Sequence, residues 1–212
     1  MNNIAFIDLE IDGRGKIVDA GAVKAGKSIH TSRIAEFVAF ISDADYLCGH
    51  NIIEHDYKYL KSFLPKDYAL IDTLYLSPLL FPRKPYHRLL KDDKLLSDEL
   101  NNPLNDALKA KELFEDEVNA FNNIDKRMQQ IYYELTASDI HFKGFFDQVG
   151  YSPDWRPFFL KKSTADSVKE VLAGKICANA DVNAAVKNSK IETAYSIALI
   201  STDDRNSITA PW

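Results

Sequence analysis

Four apolar residues in a row, Ile4-Ala5-Phe6-Ile7, run directly into Asp8-Leu9-Glu10. An unbroken apolar run of this length suits a strand covered on both faces, so the chain has to supply layers on either side of a sheet. Residues two apart on a strand share a side. Asp8 and Glu10 therefore leave the end of a buried strand together. Two carboxylates placed in this way repel each other and lose hydration. If the strand end simply faded into water, both acids would be hydrated. Otherwise the usual compensation for an oxygen-only site is a divalent cation, magnesium or manganese.

With 212 residues, 46% of them hydrophobic, the chain has the material for one large domain or a domain with an appendage. Its formal net charge of −5 gives no overall attraction for nucleic acid or an anionic membrane. Any polyanion would have to be met locally, by a basic patch or bound cations. Cys48 and Cys177 follow no metal-ligand spacing, and reduced thiols in the cytoplasm are the expectation. No apolar stretch approaches the length of a membrane span, and no signal peptide is evident. The ending Ser207-Ile208-Thr209-Ala210-Pro211-Trp212 carries no closing feature, which suggests a cut inside a longer protein.

Residues 12–15 read as a turn, then strands over 16–23 and 28–31 make an antiparallel meander with the first strand. Helical spacing appears over 33–41. A short strand is expected at 46–49, a helix over 55–64 with Tyr59, Leu60 and Phe63 inward, and a strand over 69–74. Pro78, Pro82 and Pro85 break up the next segment, and a strong helix runs from Leu104 to Phe121. Strands succeeded by alternating helices and strands imply an α/β domain with a mixed sheet and the first strand in its middle. Beyond about residue 120 the strand signals stop and five helical segments take over. The division expected is a mixed-sheet domain over 1–120 and a helical appendage over 121–212.

Two further acids stand at element starts. Asp56 comes after Gly49-His50-Asn51 at the beginning of a helix, and Asp106 after Asn101-Asn102-Pro103 at the beginning of the long one. Singly, each is explained by the favourable interaction of an acid with a helix N-terminus. Taken in order, Asp8-x-Glu10, Gly49-His50-Asn51 with Asp56, and Asp106-Ala107 resemble the DEDD superfamily of 3′-to-5′ exonucleases, which is DnaQ-like and has an RNase H-like fold. The stretch from Lys16 to Val23, and Asp72-Thr73-Leu74 with Leu79-Leu80-Phe81-Pro82, are similar to the family as well. The resemblance covers roughly the first 120 residues. It implies an RNase H-like mixed sheet flanked by helices, with Asp8, Glu10, Asp56 and Asp106 holding two Mg²⁺ or Mn²⁺ ions for phosphodiester hydrolysis. It also implies single-stranded or 3′-ended DNA as the partner, RNA not being excluded.

The chain departs from the family at the general base. One branch has a His five residues before the last Asp, where this chain has Asn101. The other has a Tyr four before it, where this chain has Asn102. An asparagine cannot accept a proton at neutral pH. His87 stands five residues before Asp92, and from its Pro-rich segment it is a candidate base; Asp106 is kept as the ligand because a long helix begins there. Arg83, Lys84, Arg88 and Lys91, with Tyr86 among them, are candidates for phosphate contacts and base stacking, as is Asn51 beside the second motif. The order Asn101-Asn102-Pro103-Leu104-Asn105-Asp106 and the abrupt ending also resemble large bacterial proteins that fuse an exonuclease-like part to a RecQ-type helicase. The expectation is therefore a metal-dependent 3′-to-5′ exonuclease acting on DNA. The alternative is a weak or inactive nucleic-acid-binding or docking module of a larger DNA-processing protein.

Overall fold

The computed structural model describes residues 3–89, 102–152 and 162–202. Strand β1 (Ile4–Ile11) lies at the centre of a five-stranded mixed sheet. Strand β2 (Ile17–Lys24) pairs antiparallel with β1, and β3 (Lys27–Thr31) antiparallel with β2. On the other side β4 (Tyr46–Gly49) and β5 (Ala69–Asp72) run parallel, giving the order β3-β2-β1-β4-β5. The central position of β1 matches the sequence expectation and explains its apolar run, because both faces are covered.

Alternation along β1 divides its side chains between two layers. Ala5, Ile7 and Leu9 join Phe37 and Ile41 of helix α1 (Ile34–Ile41), together with Leu47, Ile52 and Leu60, in one cluster. Phe6 points the other way, its ring 5.8 Å from that of Phe114 on helix α4 (Pro103–Asn123). That second cluster also takes Cys48 and Ile71 from the sheet. It takes Phe121, Ile131, Phe142 and Phe145 from α4, α5 (Lys126–Thr136) and α6 (Ile140–Val149). Helices α7 (Thr164–Val171), α8 (Val182–Asn188) and α9 (Lys190–Ser201) complete it with Val168, Val182 and Ile197. The helical segments beyond residue 120 thus share one core with the sheet.

Three expectations change. The strand expected through Leu74 ends at Asp72, and helix α3 (Thr73–Leu80) takes over. The Asp72 side chain caps it by accepting from the Leu74 N–H at 3.0 Å. Pro78 is tolerated inside α3 at the loss of one backbone bond. The helix expected over 55–64 is only α2 (Asp56–Leu60), continued by a 3₁₀ turn over Lys61–Phe63. Within α2 the buried positions are Asp56 and Leu60, one turn apart, which leaves Tyr59 on the exposed side. The tighter 3.0-residue turn after it rotates the face, and Phe63 is exposed. The side chain of Asn102 accepts from the Leu104 and Asn105 N–H groups as the N-cap of α4. That is a physical reason for an asparagine there. Among the described residues no helix is long and apolar enough to cross a membrane.

Candidate active site

The acids are brought to the C-terminal end of β1 by three separate devices. Asp8 and Glu10 come after Phe6 at intervals of two and so share its side of the sheet, the side that carries α4. Gly21 of β2 lies directly across from Asp8. A Cβ on Gly21 would fall 2.2 Å from the Leu104 nitrogen, so the first turn of α4 rests backbone to backbone on β2. That turn carries Asp106, whose N–H bonds the Asn102 carbonyl at 3.2 Å. Asp56 arrives from the opposite flank. Its Oδ1 accepts the Leu9 N–H at 2.9 Å, beyond the point where β1–β4 pairing stops at Phe6 and Cys48. The pairing of β1 with β2 is irregular between Glu10 and Ile11, a disturbance of the kind that re-aims side chains near sites.

Asp56 is 2% exposed, and burial raises its carboxyl against the pull of His55 and the Leu9 amide. An ionised Asp56 here calls for positive charge nearby. His55, half-exposed, has its Nδ1 3.7 Å from Asp56 Oδ1. The Asp56 carboxylate holds its pKa above the ordinary value, and Glu10 adds to the effect. Asp8, Glu10, Asp56 and Asp106 offer hard carboxylate oxygens, the donors that Mg²⁺ and Mn²⁺ prefer. As the side chains stand, no three His, Cys, Asp or Glu groups among the described residues form an ion cage.

The loop between β4 and α2 is held from beneath by Asp72. Its carboxylate accepts from Asn51 N at 2.9 Å and Ile53 N at 3.1 Å in addition to capping α3. Asn51 takes a left-handed backbone, φ +66°, which asparagine tolerates better than most residues. His50 Nδ1 lies 2.9 Å from Thr73 Oγ1. Burial lowers the pKa of His50 to about 4, the His87 backbone pulling the other way, and Nε2 closes no regular hydrogen bond.

His87 lies against α3, its Nδ1 2.9 Å from Ser77 Oγ. Burial, with Lys84 nearby, lowers its pKa. A neutral imidazole at neutral pH is the form that can take up a proton. Arg83, Lys84, Tyr86 and Arg88 are exposed on the same segment, Tyr86 by 72%, with the Lys84 ammonium 4.2 Å over the Phe81 ring. Lys91, Asp92 and Asn101 lie outside the described residues.

Three residues around the site escape the sequence reasoning. Asp72 reads as strand, although an Asp-Thr pair before an apolar run is a helix-start signal. Glu117 occupies the buried stripe of α4, with Ala110, Phe114 and Phe121, at helical spacing, and is fully buried. Neither of its carboxylate oxygens has a hydrogen-bond partner. Burial, with Asp72 nearby, pushes its pKa well above the ordinary value. His141 of α6 lies 3.5 Å from Glu54 in the loop before Asp56. Its role depends on how α6 docks, which periodicity does not reveal. No protein-family model, no curated protein and no solved structure matches this chain.

Proposed function

We propose that this protein is a metal-dependent 3′-to-5′ exonuclease that hydrolyses phosphodiester bonds at DNA ends. One observation carries the reading: the end of one buried strand collects Asp8 and Glu10, the first turn of α4 with Asp106, and Asp56 on the Leu9 amide. Those four acids would hold two Mg²⁺ or Mn²⁺ ions. When bound, such ions supply an activated water and a counter-charge for the departing 3′ oxygen. Residues 73–91 contain no Asp or Glu, and their exposed Arg83, Lys84 and Arg88 suit the phosphates of a single strand, with Tyr86 for stacking. Asn51 is the candidate contact from the loop beside Asp56. His87 is the candidate proton acceptor. His87→Ala should then lower the rate about a hundredfold, the scale for losing a general base, with unchanged Mn²⁺ affinity by calorimetry.

A second reading is favoured by Asn101, which stands where one branch of the resembled family has its base. On that reading the chain is a nucleic-acid-binding or docking module, joined in the same polypeptide to a helicase. End-labelled single-stranded DNA, duplex DNA and RNA incubated with Mg²⁺ or Mn²⁺ separate the two. A ladder shortening from the 3′ end that Asp8→Asn abolishes supports the exonuclease. Binding without cleavage on all three substrates supports the module.

A further inference from the structure

His141 is half-buried among charged groups from several elements, and the site residues described so far do not use it. Its Nδ1 lies 2.7 Å from Asp139 Oδ1, the carboxylate that also caps α6. Its Nε2 is buried and lies 3.5 Å from Glu54 Oε1 without closing a regular hydrogen bond. Its ring stacks on Tyr75 of α3 with centroids 3.9 Å apart. Lys58 of α2 holds the other Glu54 oxygen at 2.6 Å. Asp72 at the end of β5 is within electrostatic reach of His141. From α9, Tyr195 bonds the Tyr75 carbonyl at 2.9 Å and senses Asp139.

This arrangement has a chemical consequence. A neutral imidazole has one N–H, and Asp139 takes it at Nδ1. The lone pair on Nε2 would then face a carboxylate. Only the imidazolium donates at both ends. Glu54 belongs to the loop Asn51–His55, which leads directly into Asp56. Helix α6 packs backbone to backbone on β5, because a Cβ on Gly144 would fall 1.9 Å from the Leu70 carbonyl oxygen.

We propose that His141 is a positioning residue through which the helical half holds the loop before Asp56: charged, it bridges Asp139 on α6 and Glu54 on the loop. The proposal deepens the nuclease reading, since that loop presents Asn51 and Asp56, but the contact can be tested without any activity. The measurement is amide hydrogen exchange on the full chain at one fixed pH, expressed as protection relative to intrinsic rates. His141→Phe keeps a ring against Tyr75 but cannot carry charge. It should reduce the protection of Ile53, Glu54 and His55 roughly three- to tenfold. Phe145 and Phe146 in α6 should stay as protected as in the wild type, which shows that the fold is intact. Glu54→Gln should have the same effect, and the double variant should add nothing further. Unchanged loop protection in His141→Phe, or additive effects in the double variant, would overturn the proposal. Should the wild type cleave nucleic acid, His141→Phe should lower kcat more than it raises KM. If no substrate is cleaved, the nuclease reading fails and the exchange result still decides the role of His141.

Discussion

Glu117 carries the sharpest consequence at the scale of single residues. It is a carboxylic acid in a core stripe, fully buried, with neither oxygen partnered. Its folded pKa is raised, so its contribution to stability is fully present below the ordinary value of 4.5 and is lost as pH rises towards the folded value. Glutamine at this position has no charge to bury. Glu117→Gln should therefore match the wild type in acid and exceed it at pH 8, by about 1–3 kcal/mol, the scale for an unsatisfied buried polar group. Urea denaturation at several pH values checks this, and a constant offset across pH would contradict it. His50 acts in the opposite sense. Its folded pKa of about 4 lies below the ordinary 6.5, so its stabilisation is present above 6.5 and is lost as pH falls towards 4. His50→Gln should flatten that acid limb in the same measurement. The spacing of Glu117 is open to reading, since it stands three residues after Phe114 and four before Phe121. Nothing in the sequence shows that the acid would be left without a partner.

Among the elements, β1 and α4 are the most legible, because a four-residue apolar run and a long amphipathic helix each leave few alternatives. The strand β1, its central place and the start of α4 agree closely with expectation. Helix α3 is not legible, because three prolines in 78–85 argue for broken structure. A cap from Asp72 outweighs one proline inside a helix. Phe63 is misplaced by periodicity because one turn of 3₁₀ geometry shifts the face, and such arguments assume 3.6 residues per turn throughout. Tyr59 is misplaced because the inward face of α2 is set by Asp56 and Leu60. The contact between α4 and β2 yields a direct test. Gly21→Ala puts a methyl group 2.2 Å from the Leu104 nitrogen, so α4 has to lift. The expected loss is about 1–3 kcal/mol or more, typical of overpacking. Mn²⁺ affinity by calorimetry should fall with it, because Asp106 rides on that turn. A variant that folds and binds Mn²⁺ as tightly as the wild type would remove Asp106 from the site.

At the scale of the molecule, the sequence pattern suggests a sheet domain and then a helical appendage, the boundary falling near residue 120. The packing shows Phe6, Cys48 and Ile71 of the sheet in one cluster with Ile131, Phe142, Phe145 and Ile197. The sequence could not show this, because a helix announces its apolar face without naming the face it meets. A fragment ending at residue 125 would keep α4 on β1 and β2 but expose the part of that side over β5, which α6 covers. It should show no cooperative thermal transition and should bind a hydrophobic dye, as expanded states do. A fragment that unfolds cooperatively would show that the sheet half is self-sufficient.

The glycine notch under α4 also limits how the molecule can move. On the same side of β2 the residues flanking Gly21 are Asp19 and Val23, each with a side chain. If α4 slid along the strand by one pleat, its backbone would run into one or the other. The seat behaves as a detent with a single stop. Opening of the site can then proceed by the helix tilting or by the loops moving, and not by the sliding of packed helices that other α/β proteins use to change state.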